Sequence, residues 1–481
     1  MKHKLNLWLF LLPLFLVFVL NLVMHEEKTI SALEKRALYA KPVFTTKFFF
    51  NGQYSKEYDN YYSDHFAFRD VFVSIGSKIK NFRGLRGEEG AILVVQKGNN
   101  MSENLGGGKP VTQMTQAAEL QGGQFVQDGK GQRSAAVETS FDQSVPMSVD
   151  QGMRAQLPGP AITKPGELTG ELHQPLPKSE VTEKLHVANV SDTYLVLKDR
   201  ATLLYKFSPA SAEAYAKAVN RLRSSVDPKI RIFNLLVPSQ IEFLDIDKYR
   251  NLSDSQKNAF RYVNKLLDKA VAPVDAYNVL LNHRGENIYL RTDHHWTALG
   301  AYYAYTAFIE MAGDVPVALS RYKTEEIKGY LGTTYAATLN DSLKKNPDTL
   351  MLYIPFTPNE YTVYTSANEA LKRNVIESSF VREGIIDYSV FLGGDFPWGV
   401  IKTANRNKKH LLVLKDSYGN AFISFLLPHC EVIYYVDPRH FKLNLLKFIQ
   451  DKNITDVLIL NGSFVTTYSG IADLLTAIMD K

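Results

Sequence analysis

His410-Leu411-Leu412-Val413-Leu414-Lys415-Asp416-Ser417-Tyr418-Gly419 is the stretch on which the fold turns. Leu411 to Leu414 read as a short buried strand, and the apolar run Asn420 to Leu427 that follows reads as a helix, so the polar residues between them mark a strand-to-helix handover. Downstream the rhythm repeats: strand Val432 to Val436, helix Phe441 to Asp451, strand Val457 to Leu460, helix Ile471 to Met479. Upstream it holds too, with a helix from Ala210 to Ser225, a strand from Ile230 to Val237, a helix from Ser253 to Ala270 and a short strand near Val274. Strands alternating with helices of this length predict an α/β fold on a parallel sheet, whose functional groups gather at the carboxyl ends of the strands.

A second stretch, Thr292-Asp293-His294-His295-Trp296-Thr297, follows Tyr289 and Leu290, and its Thr297 is placed to cap a helix running to Ala312 with Gly313 as its stop. Between them the two stretches hold an acid, a base and a nucleophile. In extended backbone an i, i+2 pair points to one side, so Asp293 is expected to orient His295 while His294 faces elsewhere. Ser417, at a helix start, is the expected nucleophile, and Asp416 or Ser417 can equally serve as a plain helix cap. Trp296 is expected to exclude water. Tyr418, Gly419, Asn461 and Arg439, all at the same predicted sheet edge, are candidates for an oxyanion or substrate contact, although Asn461 also suits an Asx turn. His283 and His294 permit a metal reading that neither a cysteine nor a compact His-x-x-x-His spacing supports, so no metal and no cofactor are expected.

Residues outside these stretches suggest where the chain lives. Leu5 to Met24 is almost wholly apolar and follows Lys2 and Lys4, which predicts a single membrane span with the remainder outside the cytoplasm. A cleaved signal peptide is the alternative, with a shorter apolar region and a small-x-small site that this segment lacks. The single cysteine, Cys430, rules out an intrachain disulfide, so the 45% hydrophobic content must supply the core. A net charge of +5 with no long basic run argues against nucleic acid as a partner. Between Gly98 and Thr193 the only aromatics are Phe125 and Phe141, amid Gly, Gln, Ser and Pro, a composition that predicts a disordered insertion. The expected organisation is therefore a cytoplasmic N-terminus and anchor over 1–27, a juxtamembrane region over 28–97 packing on the catalytic domain, the insertion over 98–187, and a catalytic domain over 188–481. Short aromatic strands over 314–409 interrupt that domain and are read as a lid above one end of the sheet.

Asp64-His65-Phe66-Ala67-Phe68-Arg69-Asp70, Asp293-His294-His295-Trp296-Thr297, Phe391-Leu392-Gly393-Gly394 and Lys415-Asp416-Ser417-Tyr418 occur in that order. In these marks the chain resembles the bacterial DHHW protein family, which is similar to the alginate O-acetyltransferase-like proteins with their circularly permuted SGNH hydrolase domain. The resemblance implies a flavodoxin-like sheet with Asp293, His295 and Ser417 in the triad positions, Asn461 near the asparagine block and Arg439 near the glycine block, where this chain has no glycine. It also implies O-acetyl transfer to an envelope or secreted polysaccharide beside a multispanning membrane acyltransferase that delivers the acyl group. A carbohydrate esterase with the same groups and a non-catalytic glycan-binding scaffold are the other readings. The letters Asp293-His294-His295 also resemble metal-dependent DHH phosphoesterases, but the earlier aspartate motifs that those require are not evident.

Overall fold

The stretch 410–419 lies at the middle of an eight-stranded sheet. In chain order its strands are β1 (Arg231–Val237), β2 (Val271–Val274), β3 (Asn359–Tyr364), β4 (Ala370–Arg373), β5 (Trp398–Thr403), β6 (His410–Lys415), β7 (Val432–Val436) and β8 (Asp456–Gly462). They are ordered β4-β3-β5-β7-β6-β8-β1-β2. The computed structural model describes residues 28–83 except 29, 32, 34 and 35, then 92–96, 192–244, 251–378, 381–382 and 385–481, with six positions between 11 and 20.

Side-chain alternation along the strands builds two cores. Leu411 and Val413 of β6 face a layer with α4 (Ala298–Met311) and α5 (Gly419–Ile423), where Trp296, Tyr305, Phe308 and Phe422 are buried. Leu412 and Leu414 face the opposite layer, built from α1 (Pro209–Ser225), α2 (Gln256–Leu266), α6 (Leu445–Asp451) and α7 (Gly470–Met479). The short α3 (Ala276–Asn282) adds Leu280 to the first layer. Each such aliphatic side chain, fully buried, contributes about 2 kcal/mol. The helix starts follow local chemistry. Ser208 accepts from Ser211 N ahead of Pro209, and Thr297 Oγ1 accepts from Gly300 N at 3.2 Å, the cap expected of it.

The sheet is mixed, which corrects the expectation of a parallel sheet under a lid. β7, β6, β8, β1 and β2 run parallel. β5, β3 and β4, all from residues 314–409, continue that sheet antiparallel beyond β7. Strands joined by short turns add to an edge as hairpins, and nothing in their alternation tells an added edge from a separate cover. The rest of 314–409 contains a separate hairpin, Lys323–Tyr330 with Asp348–Ile354. Helix α5 follows β6 on one face, and α7 follows β8 on the other. The neighbouring strands β6 and β8 thus bracket the crevice where chain direction switches.

Ile92–Gln96, Asp192–Val196 and Ala201–Leu203 form a three-stranded sheet in which Gln96 pairs with Asp192, so the chain leaves and re-enters this body at one place. The predicted insertion over 98–187 lies outside the described residues, as does most of the predicted span from Leu5 to Met24. Among the described residues no helix is long and apolar enough to cross a membrane. Helices Gln53–Asp64 and Arg69–Arg83 flank the Asp64–Asp70 motif. His65 bonds Tyr61 O and Lys28 O, each at 2.9 Å, and Asp64 accepts from Tyr39 N at 2.9 Å.

Candidate active site

The two stretches singled out in the sequence meet at the carboxyl edge of β6 and β8. Ser417 sits in the turn between β6 and α5, and its Oγ lies 2.7 Å from His295 Nε2. His295 Nδ1 lies 2.6 Å from Asp293 Oδ1, which also accepts from His295 N at 2.9 Å. A reciprocal pair of bonds holds the stretches together. Trp296 Nε1 donates to Tyr418 O at 3.0 Å, and Tyr418 Oη donates to His294 O at 2.6 Å. Gly462 admits this packing, since a Cβ there would stand 2.8 Å from the Tyr418 ring. Trp296 is thus wholly buried beneath Tyr418 and part of the core, where the sequence suggested a water barrier.

Asp293 and His295 do converge, but not through an extended strand. Thr297 N donates to Ile288 O at 2.9 Å and Leu290 N to His295 O at 3.2 Å, so residues 291–294 form the tip of a tight loop. In bent backbone the alternation of side chains lapses. The expectation that His294 faces elsewhere is therefore corrected: its ring centroid is 3.8 Å from that of His295, and its Nδ1 lies 3.5 Å from Asp293 Oδ1.

Residues that the sequence gave no reason to choose fix this loop. Tyr330 Oη donates to Asp293 Oδ2 at 2.7 Å and Thr333 N donates to the same oxygen at 2.8 Å. Gly332 lies against the carboxylate so closely that a Cβ would fall 2.2 Å from Oδ2. Behind it, buried Asp348 accepts from Thr292 N at 2.8 Å, from Thr292 Oγ1 at 2.6 Å and from Arg291 N at 3.0 Å. Tyr388 stacks on the His295 ring, 4.1 Å between centroids and 6° between planes. The one legible signal was the Tyr330-Leu331-Gly332-Thr333 turn; nothing local in the sequence ties it to Asp293.

Burial alone would raise the Asp293 carboxyl. The charge of His295, then that of His294 and the hydrogen bonds from His295 and Thr333 outweigh it and hold the group well below the carboxylate range. Burial, and next the charge of His295, push His294 down to about 3, so it is neutral near pH 7. Asp293, His294 and His295 each offer one ligand atom within 4.8 Å of the others, the one such grouping among the described residues. An ion held there would compete with the hydrogen bonds that these side chains make.

A profile of the DHHW protein family matches residues 164–436. The chain belongs to the DHHW protein family. It is similar to the crystal structure of a DHHW family protein from Eubacterium siraeum, at 34% identity and a TM-score of 0.55 over 60% of this chain and 95% of that one. PatB1 of Bacillus cereus is 21% identical, with a TM-score of 0.51 over 58% of this chain and 99% of that one, a likeness of fold. The O-acetyltransferase domain of Pseudomonas putida AlgJ is 13% identical, with a TM-score of 0.32 over 60% and 96%, too distant to bear an argument. No curated protein matches the chain.

The remaining candidates in this DHHW protein are engaged internally. Asn461 directs Nδ2 at Asp416 Oδ2, 3.5 Å away, and its Oδ1 accepts from Tyr215 Oη at 3.2 Å, on the face opposite α5. Tyr418 N donates to Asp416 Oδ1 at 3.0 Å, and Gly419 N to Asp416 O at 3.0 Å. The Ser417 N–H has no acceptor among the described residues. Arg439 donates from Nη2 to Asp395 Oδ2 at 2.8 Å and from Nε to Asp437 Oδ1 at 2.8 Å, and its Nη1 has no acceptor among the described residues. Asp395 also accepts from fully buried Lys415 at 3.1 Å and from Asn420 at 2.8 Å. The Phe391–Gly394 mark makes this reach possible: Leu392, Gly393 and Gly394 take φ of 59°, 71° and 107° in succession, and their turn delivers Asp395 to the cations. Burial would raise the Asp395 carboxyl, but Lys415 and Arg439 hold it well below its ordinary range.

Proposed function

We propose that this protein is a serine O-acyltransferase acting on a polysaccharide outside the cytoplasm, most simply an O-acetyltransferase. One observation carries the reading: the unbroken chain of hydrogen bonds from Asp293 through His295 to Ser417 Oγ. His295 takes the Ser417 proton as Oγ attacks the donor carbonyl, and returns it to the leaving group as the donor ester breaks. A sugar hydroxyl then gives its proton to His295 and attacks the acyl-serine, which releases the acylated sugar and restores the Ser417 hydroxyl. The N–H of Ser417 and Nη1 of Arg439 are the donors left over to meet the developing oxyanion. Asp293, ionised well below neutrality, keeps the imidazolium oriented.

The apolar segment from Leu5 to Met24 supports a membrane anchor that keeps the catalytic body outside, with residues 28–97 between the two. A multispanning membrane acyltransferase that delivers the acyl group is the donor partner that the family resemblance implies and that such a placement suits. The same groups with water as acceptor make an esterase. To test the reading, the protein and its Ser417→Ala variant are incubated with 4-nitrophenyl acetate, and 4-nitrophenol release is followed. Loss of turnover by about 10³-fold or more is expected. Equal rates in the two proteins would end the proposal, and product analysis with and without an oligosaccharide separates transfer from hydrolysis.

A further inference from the structure

His294 is the polar group at this site that the acyl-transfer chemistry leaves unused. Its ring lies beside that of His295, and 15% of its side chain is exposed, whereas the His295 side chain is 6% exposed. Its Nδ1 is 2.6 Å from Thr333 Oγ1. The partners settle which nitrogen carries the proton. Thr333 Oγ1 is 3.2 Å from Asp293 Oδ2, to which it donates. Its lone pairs are thereby left to accept, and His294 Nδ1 is the donor nearest to them. The same Nδ1 stands 3.5 Å from Asp293 Oδ1, where a proton is attracted by the carboxylate and a lone pair would be repelled. The proton therefore resides on Nδ1. Nε2, across the ring from Thr333, keeps a bare lone pair with no donor among the described residues.

We propose that His294 Nε2 binds the acceptor: it takes a hydrogen bond from a hydroxyl adjacent to the one that attacks the acyl-serine, so that the site selects vicinal diols, the pattern of a sugar ring, over water and simple alcohols. The inference rests on the acyl-serine reading and adds to it the class of acceptor. Two imidazoles side by side meet two neighbouring hydroxyls, His295 taking the proton of the attacking one and His294 holding the other. The proton on the held hydroxyl stays where it is, so the transfer step balances as before. Asp293 then serves both rings, one directly and one through Thr333. A carboxylate at that position sets the tautomer of each.

The experiment uses the full-length protein, 4-nitrophenyl acetate as donor and equal concentrations of glycerol or 1-propanol as acceptor, with acetylated products measured by mass spectrometry. Wild type is expected to favour glycerol by about fivefold or more per hydroxyl, as one neutral hydrogen bond allows. His294→Phe, which keeps a flat ring, and His294→Ala are expected to bring the preference, taken as the ratio of the two products formed by each protein, close to parity. A preference that persists in both variants, or a wild type with Ser417-dependent release of 4-nitrophenol and no preference, overturns this inference and leaves the acyl-serine intact. A wild type that releases 4-nitrophenol no faster than Ser417→Ala removes the acyl-serine reading and this inference with it. Because either substitution can disturb the loop, histidine-labelled nitrogen NMR of the wild type gives a second readout, with His294 assigned through its loss in the variants. A proton found on Nε2 in place of Nδ1 overturns the inference whatever the kinetics show.

Discussion

Ser417 and His295 arrive at the same point by different means. Ser417 is placed by the sheet: β6 pairs in parallel with β8 and with β7, Asp416 accepts from Gly462 N at 2.7 Å, and the turn into α5 follows. His295 is placed by side chains. Its loop pairs with no strand of the main sheet and is held instead by Tyr330, Thr333 and Asp348, from residues 330–348, and by the crossed Trp296 and Tyr418 bonds. Backbone ladders distribute their strength over many bonds, whereas a carboxylate cradle concentrates it in a few. The position of Ser417 should therefore tolerate single substitutions that the position of His295 does not.

The sharpest way to break that comparison is Gly332→Ala. Its Cβ has no room beside Asp293, so the carboxylate must move, and ester turnover is expected to fall by about 10²-fold, since small displacements of a positioned group cost that much. A loss under about threefold, measured with folding verified by circular dichroism, would show that the cradle is not what positions His295. On the sheet side, Asp395→Asn tests the buried charges beneath Ser417. Removing one partner of a buried pair costs about 3 kcal/mol, expected as a lower midpoint in denaturant at pH 7. The Asp395 pKa is depressed on folding, so its contribution is full above the ordinary carboxylate range and disappears as pH falls through the lowered value. The gap between wild type and variant should narrow as acid is added, and a gap that widens would contradict the assignment. The smallest effect is expected from Tyr330→Phe. Removing one of several donors to Asp293 should lower kcat by about fivefold to tenfold with little change in KM, read from initial rates.

Much of this was legible in the residues themselves, and the exceptions share a cause. The helices around β1, β6, β7 and β8 follow from periodicity and caps. Thr297 caps the helix it was expected to cap, and Val432–Val436 has the bounds its apolar run suggested. Asp293, His295 and Ser417 were selected from two short patterns, and the structure brings all three together. What escaped were relations between distant segments. Tyr361, Trp398 and their neighbours look like cover strands, and only pairing with Tyr435 and Val436 reveals β5 and β3 as part of the sheet. His294 was expected to turn away because Thr292–His295 looked extended; a bend set by bonds to Ile288 and Leu290 reversed that.

By itself the sequence determined the alternation of elements, the apolar N-terminal segment, and the choice of Asp293, His295 and Ser417 as the side chains to look for at one place, because these depend on residue type and local spacing. The tertiary structure alone decided that Tyr330 donates to Asp293 and Asp348 holds Thr292 beside it, that Asn461 turns to Asp416, and that His294 shares the site with His295. Those outcomes depend on contacts across tens to hundreds of residues, where no local preference acts and only packing and hydrogen-bond geometry select the partner.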